Sequence, residues 1–354
     1  MSEIIDVWRE RIRAAAEART PLRVRGGGSK DFYGREPAGE LFDTRECAGI
    51  VAYEPTELVV TVRAGTPLAE LDAALAEKGQ WLAFEPPRFG EHATVGGMVA
   101  TGLSGPRRMA VGALRDFVLG MKVIDGRGEL LSFGGQVMKN VAGYDVSRLM
   151  TGALGTLGVI VEVSLKVLPR PVAEATLALE CDEVTALARM NEWGAEPLPV
   201  SATAWHDGVL RVRLSGARAA VDAARERLGG EALDGADADA YWEALREQRD
   251  DFFAGDAPLW RFALPTTAAA LALDGAQYLE WGGGQRWLRS DAAPDVARER
   301  ATALGGHATL FRGGERNGEV FHAPTAPLMQ THRRLKAAFD PAGILNPGRM
   351  YAAF

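Results

Sequence analysis

Glycine clusters hold the strongest chemical signal in this chain. The first is Arg25-Gly26-Gly27-Gly28-Ser29-Lys30. Consecutive glycines let successive backbone N–H groups turn into one concavity, which suits an anion. Arg25, Ser29 and Lys30 add charge and donors. A phosphate fits this chemistry, and so does a flexible linker with two cations. The second cluster is Thr94-Val95-Gly96-Gly97-Met98-Val99-Ala100-Thr101-Gly102-Leu103-Ser104-Gly105. Its small side chains suit either a flat ligand close to the backbone or a tight helix crossing. The third, Gly152-Ala153-Leu154-Gly155-Thr156-Leu157-Gly158, runs into Val159 and Ile160. It reads as a turn, pressed against a ligand or standing alone. Between the last two lies a polar stretch with Lys139, Asn140, Gly143, Tyr144 and Asp145, either a ligand loop or a polar turn.

Other chemistries are argued against. No G-x-G-x-x-G joins a strand to a helix, and no G-x-x-x-x-G-K-[ST] occurs, so neither a Rossmann site nor a P-loop is indicated. The five histidines, His92, His206, His307, His322 and His332, form no pair at metal-ligand spacing, and no metal site is expected. Cys47 and Cys181 are isolated, which argues against a disulfide framework or an iron–sulfur cluster in this chain. A net charge of −7 gives no electrostatic footprint for nucleic acid. The charged N-terminus does not read as a signal peptide, and no apolar run reaches membrane-spanning length. A cytoplasmic protein is expected, with docking at the inner face of a membrane through partners left open.

The elements that must position the glycines follow from periodicity. Residues 4–19 read as an amphipathic helix, 22–24 as a short strand entering the first glycine loop, and 50–53 and 58–63 as further strands. Thr66 and Pro67 predict a helix start, with Thr66 as N-cap, and Gly79 its end. Residues 118–124 and 130–133 flank Asp125-Gly126-Arg127-Gly128 as a hairpin. Residues 159–168 alternate, predicting a half-buried strand. Pro169-Arg170-Pro171 breaks the pattern. Beyond it, strands at 176–179, 209–214, 260–264, 277–281 and 286–289 mix with helices at 184–193, 217–228 and 238–252, and the acidic stretch 231–239 reads as a surface loop. This predicts an α+β unit with an antiparallel sheet. Residues 326–339 read as a helix whose Arg333, Arg334 and Lys336 form a solvated face. Ile344 and Leu345 predict a packed tail.

The stretches RVRGGGSK (23–30), TVGGMVATGLSGPRRMAVGALRDFVLG (94–120), VMKNVAGYDVSRLMTGALGTLGVI (137–160), LWRFALP (259–265), GGHATLFRGG (305–314) and FDPAGILNPGR (339–349) resemble, in wording and order, FAD-binding proteins of the vanillyl-alcohol-oxidase (PCMH) type. Within that superfamily the chain is similar to the FAD-binding subunits of glycolate oxidases. The resemblance implies an α+β fold: a two-subdomain PCMH-type FAD-binding domain at residues 1–170, an α+β cap with an antiparallel sheet at 171–325, and a helix and tail at 326–354 returning to the flavin.

It also implies roles. Arg25, Gly26, Gly27, Gly28, Ser29 and Lys30 would cradle the diphosphate. Thr94, Gly96, Gly97, Met98, Ser104 and Gly105 would line flavin and diphosphate. Gly155, Gly158, Val159 and Ile160 would meet the adenosine part, Asn346 the isoalloxazine, and Asn140, Gly143 and Tyr144 would lie near the cofactor. Ser29 stands where some relatives place a flavin-linked histidine, so non-covalent FAD is expected.

The implied activity is oxidation of a small 2-hydroxy acid, glycolate to glyoxylate, by a complex with a larger flavoprotein subunit and an iron–sulfur subunit. That chemistry needs a base and a cationic clamp. The His-rich metal motif of the larger, self-sufficient relatives is missing. Only His307, Arg261, Arg286 and Arg312 remain as candidates, and each reads as well as an ordinary strand residue. Trp281 and Trp287 flank three glycines as pocket walls or hairpin anchors. Two alternatives stay open. A self-sufficient FAD-dependent 2-hydroxy-acid dehydrogenase would reduce its flavin without partners. A non-catalytic scaffold would not be yellow.

Overall fold

The computed structural model describes residues 2–135 and 144–354. The chain divides into two compact units. One comprises residues 1–103, 113–169 and 316–354; the other comprises 104–112 and 170–315. Both mix helices with antiparallel sheet, the α+β class expected from the sequence.

The first unit opens with the helix Ser2–Ala18 and then strands β1 (Leu22–Arg25), β2 (Glu40–Asp43), β3 (Ile50–Glu54), β4 (Val59–Arg63), β5 (Gln80–Trp81), β6 (Val118–Ile124), β7 (Leu130–Gly134), β8 (Val159–Lys166) and β9 (Leu168–Pro169). Its main sheet runs β3-β4-β8-β6-β7, all antiparallel. A separate parallel pair, β1 with β2, delivers the first glycine loop. The helix buries Trp8, Ile12 and Ala15 against Leu22, Phe42, Val159 and the tail residues Ile344 and Leu345. Each large aliphatic side chain so buried contributes about 1.5–3 kcal/mol. The tail is packed down as its apolar pair predicts. Leu345 forms a parallel bridge with Leu22, and the Leu22 N–H donates to Ile344 O at 2.7 Å.

The second unit holds one eight-stranded antiparallel sheet in the order β13-β10-β12-β11-β15-β16-β14-β17. The strands are β10 (Ala173–Glu180), β11 (Val200–His206), β12 (Val209–Gly216), β13 (Glu231–Ala232), β14 (Leu259–Ala263), β15 (Ala276–Glu280), β16 (Gln285–Arg289) and β17 (His307–Arg312). Helices Glu183–Gly194 and Arg218–Leu228 pack Ala186, Leu187, Met190, Val221 and Ala224 on Leu177, Leu210, Val212 and Leu214.

Several expectations are corrected. Thr66 is not an N-cap: the helix Leu68–Ala76 follows Pro67 with no side-chain cap, while Thr66 Oγ1 accepts the Gly49 N–H at 2.8 Å. Strand β8 is buried on both faces rather than one, because Val159 and Val161 pack with Trp8, Ile12 and Leu345 of the first helix and the tail while the helix Val95–Thr101 also packs on the strand. The acidic stretch at 231–239 is β13 plus the start of the helix Gly235–Arg246, capped by Asp234. That helix stops short of Phe252, which lies in a separate 3-10 turn, Asp251–Phe253. Lys336 is not on a solvated face: it is 5% exposed. Strand β11 and the helix Pro294–Ala303 have no counterpart in the sequence reading.

Candidate functional site

Strand β1 ends at Arg25 and releases the chain into Gly26, Gly27, Gly28 and Ser29. Among the described residues, the N–H groups of these four meet no protein acceptor. They lie in one cleft, lined by Val24 through Asp31, Thr94, Gly97, Ala100, Thr101, Leu154, Asn346 and Arg349. Four consecutive unsatisfied amides on a concave wall form an anion nest. The glycines are obligatory for the path itself. A Cβ on Gly27 would sit 1.4 Å from the His92 carbonyl oxygen, and one on Gly28, whose φ is +72°, would sit 2.0 Å from the Arg25 guanidinium.

The charges around the nest are mostly cationic. Arg25 Nε donates to Asp31 Oδ2 at 2.6 Å. Lys30 is buried, with Nζ donating to Arg88 O at 3.1 Å and lying 5.7 Å from the Phe89 ring centre. From the tail, Arg349 Nη2 donates to Asp31 O at 2.8 Å and Nη1 to Arg35 O. Burial lowers the Arg349 pKa, the Asp31 charge opposes that shift, and Arg23 adds to it. Three cations and one carboxylate leave the cleft at +2. That matches a diphosphate diester, which carries two negative charges.

The second cluster contributes differently. Thr94 caps the short helix Val95–Thr101, its Oγ1 accepting the Gly97 N–H at 3.3 Å. The N–H groups of Val95, Gly96 and Met98 go to Thr66 O, Ala64 O and Thr94 O. The backbone N–H groups from Val95 to Met98 are thus already satisfied within the protein. Gly96 serves packing, since a Cβ there would lie 2.8 Å from the Ala64 Cβ. Thr94, Gly97, Ala100 and Thr101 supply cleft wall instead.

Asn346 joins three pieces of chain. Its Oδ1 accepts the Val24 N–H at 2.7 Å, its Nδ2 donates to Leu154 O at 2.6 Å, and its own N–H donates to Leu22 O at 2.9 Å. Gly155, φ +71°, leaves room for that amide, with a virtual Cβ 2.7 Å from Nδ2. The residue named from the motif thus lines the cleft while holding it together.

The remaining candidates separate. Met98, Val159 and Ile160 are buried, the last two in β8 opposite Ile124 and Val123, and they do not line this cleft. Gly96, Gly155 and Gly158 do not line it either. Ser104 and Gly105 belong to the second unit, where the Trp281 indole N–H donates to Gly105 O at 3.0 Å. Tyr144 is 95% exposed. Asn140 and Gly143 lie outside the described residues. Missed were Val24, Asp31, Ala100, Thr101, Leu154 and Arg349. All but Asp31 sit inside the family motifs, but nothing in a motif says which of its side chains turns toward the loop.

The four weak catalytic candidates are all in the second unit and do not converge. Arg261 pairs with Trp287 across β14 and β16, and Phe262 with Arg286. Because successive strand residues face opposite sides, Arg261 and Arg286 point away from each other. Arg286 is fully buried, its guanidinium donating to the carbonyls of Gly283 (3.0 Å), Ala269 (2.5 Å) and Ala268 (2.5 Å). It ties a loop down. Arg312 Nη2 donates to Gln248 Oε1 at 2.8 Å. His307 is exposed at the start of β17. A cavity of about 430 Å³ in this unit is lined by Met190, Trp193, Leu198, Ser201 and Thr203 among others, and by none of the four. Trp281 and Trp287 are core residues, Trp287 Nε1 donating to the buried Glu280 at 2.6 Å.

Comparison with known proteins fits this geometry. A family model described as an FAD binding domain matches residues 5–134, and one described as the C-terminal domain of FAD linked oxidases matches 316–350. The chain is 49% identical to glycolate oxidase subunit GlcE of Escherichia coli strain K12, over 97% of this chain and 96% of that one. It is 26% identical to glycolate oxidase subunit GlcD of Bacillus subtilis strain 168, over 95% and 85% respectively. A solved structure of alkyldihydroxyacetonephosphate synthase matches with a TM-score of 0.67 over 96% of this chain and 74% of that one, at 16% identity, a likeness of fold.

Proposed function

Since the chain belongs to the GlcE family of glycolate oxidase subunits, we propose that it is the FAD-binding subunit of a multi-subunit enzyme that oxidises glycolate to glyoxylate. The observation that carries this reading is the cleft beside β1. Its four unsatisfied amides and net +2 charge suit the cofactor diphosphate, and its glycines keep side chains out of the way. When bound, FAD supplies a two-electron acceptor. The chain's own part is to hold the diphosphate on the Gly26–Ser29 amides, to balance its charge with Arg25, Lys30 and Arg349, and to fix the cleft through Asn346.

The FAD is held non-covalently in this reading. Among the described residues, the lining includes Ser29 and no histidine, cysteine or tyrosine that could form a flavin bond. Glycolate oxidation itself is assigned to a GlcD-type flavoprotein partner, with an iron–sulfur subunit receiving the electrons. What supports this division is that Arg286, one of three arginines that could clamp a carboxylate, spends its donors on carbonyls, and that His307 begins β17 on the sheet face opposite Arg286. Association with a membrane comes only through those partners in this reading; no helix among the described residues is long and apolar enough to cross one.

The test is direct. The purified chain is expected to be yellow, to release its flavin on acid precipitation, and to reduce a dye with glycolate only after partner subunits are added. A colourless folded protein that takes up no FAD overturns the cofactor assignment. Brisk glycolate turnover by the isolated chain overturns the division of labour.

A further inference from the structure

The C-terminal tail brings to the cleft a buried cation whose nearby carboxylate, Asp31, is shared with Arg25. Arg349 is 6% exposed, and among the described residues it makes no ion pair. Two of its five donors go to backbone carbonyls of the segment following the glycine loop. The nearby carboxylate, Asp31, is already paired with Arg25. Arg316, from the same C-terminal segment, donates to Phe32 O and Gly34 O at 2.6 Å, so a second guanidinium crowds that stretch of chain. Arg316 has its pKa lowered to about 10, first by burial and then by repulsion from Arg349. A buried charge without a counter-ion costs several kcal/mol. Such a charge persists where a ligand completes it. The cleft that Arg349 lines also holds the four unsatisfied amides.

We propose that Arg349 is a direct ligand of the cofactor diphosphate, and that cofactor binding thereby locks the C-terminal tail onto the first unit. This rests on the FAD reading above and adds to it a direct contact by Arg349 and a coupling to the tail. The anion neutralises the repulsion between Arg316 and Arg349, and the tail carrying Arg349 is held more tightly once that neutralisation is in place. Asn346, three residues before Arg349, then clasps β1 and the Leu154 turn, so the tail's order and the cleft's shape rise and fall together.

The experiment uses the full-length apo chain. FAD, ADP and riboflavin are titrated into wild type, Arg349→Lys and Arg349→Gln. ADP keeps the diphosphate without the flavin; riboflavin keeps the flavin without the diphosphate. Arg349→Gln is expected to weaken FAD and ADP at least tenfold, to leave riboflavin unchanged, and to be partly rescued by lysine. In wild type, FAD and ADP are each expected to slow hydrogen exchange across residues 341–354, a readout that needs no variant to fold. Equal FAD affinity in all three proteins, an equal loss for riboflavin, or tail exchange indifferent to FAD and ADP overturns the proposal while leaving the FAD assignment intact. Wild type that binds no FAD defeats both.

Discussion

Lys336 Nζ lies 2.7 Å from Asp340 Oδ2, in an ion pair with both side chains buried and every strong polar group used. The other two ammonium donors reach Thr156 O at 2.8 Å and Leu345 O at 2.7 Å. The carboxylate also accepts the Ile344 and Leu345 N–H groups, at 3.1 and 2.7 Å. The pair welds the end of the last helix to the tail that carries Asn346 and Arg349. Removing one partner strands a buried charge, which costs about 3–5 kcal/mol. Lys336→Met and Asp340→Asn are each expected to lower stability by that order in urea unfolding. The double variant should lose clearly less than the sum, because neither charge is then left alone.

Gly27 has the most demanding position in the first loop. Its missing Cβ would lie 1.4 Å from the backbone oxygen of His92, which cannot swing aside as a side chain can. Gly27→Ala should therefore displace the amide nest and weaken FAD at least tenfold in a fluorescence titration, with circular dichroism showing a folded protein. Gly79→Ala is the control. Its φ of +64° is unfavourable for alanine, but no atom lies within 4 Å, so a loss of about 1 kcal/mol with unchanged FAD affinity is expected.

Arg286 separates a structural arginine from a substrate clamp. Truncating it leaves three buried carbonyls without donors, at about 1–3 kcal/mol for each unsatisfied group. Arg286→Leu should lower the unfolding midpoint sharply. In the reconstituted complex, assayed well below that midpoint, the KM for glycolate should stay at the wild-type value. A KM raised tenfold in a variant of normal stability would restore Arg286 as a clamp.

Tyr241 gives the second unit an alkaline limit. Burial raises its pKa from 10.0 to about 12, and its hydroxyl shares a 2.5 Å hydrogen bond with Tyr278. The folded-state pKa of this acid lies above its unfolded value, so the stabilisation is complete below pH 10 and is lost as pH rises toward 12. Two units correspond to roughly 2.7 kcal/mol. Denaturant unfolding followed by tryptophan fluorescence should show stability falling across that window. Tyr241→Phe should flatten the slope, less the share that belongs to Tyr278.

Much of the first unit was legible because its signals are local. The helix Ser2–Ala18 shows its stripe, the β6–β7 hairpin shows Asp125-Gly126-Arg127-Gly128, and the loop from Gly26 to Ser29 needs glycine for reasons of backbone path. The family motifs added the cofactor class, which composition alone does not supply. Where the alternation in β8 misled, the reason was layering: the first helix and the tail cover Val159 and Val161, the helix Val95–Thr101 also packs on the strand, and only the tertiary structure brings those segments over it.

The sequence by itself determined the turns, the glycine requirements, the α+β class and the likeness to FAD-dependent glycolate oxidase subunits. Tertiary structure alone decided which charges are buried and which way the side chains face. Lys336 looked solvated until the tail folded over it, Arg286 looked available until three carbonyls claimed it, and Arg349 met the Gly26–Ser29 nest across more than 300 residues of chain. The physical reason is range. Backbone conformation is set by neighbours in sequence, whereas desolvation and charge balance are set by whatever distant segment closes the space.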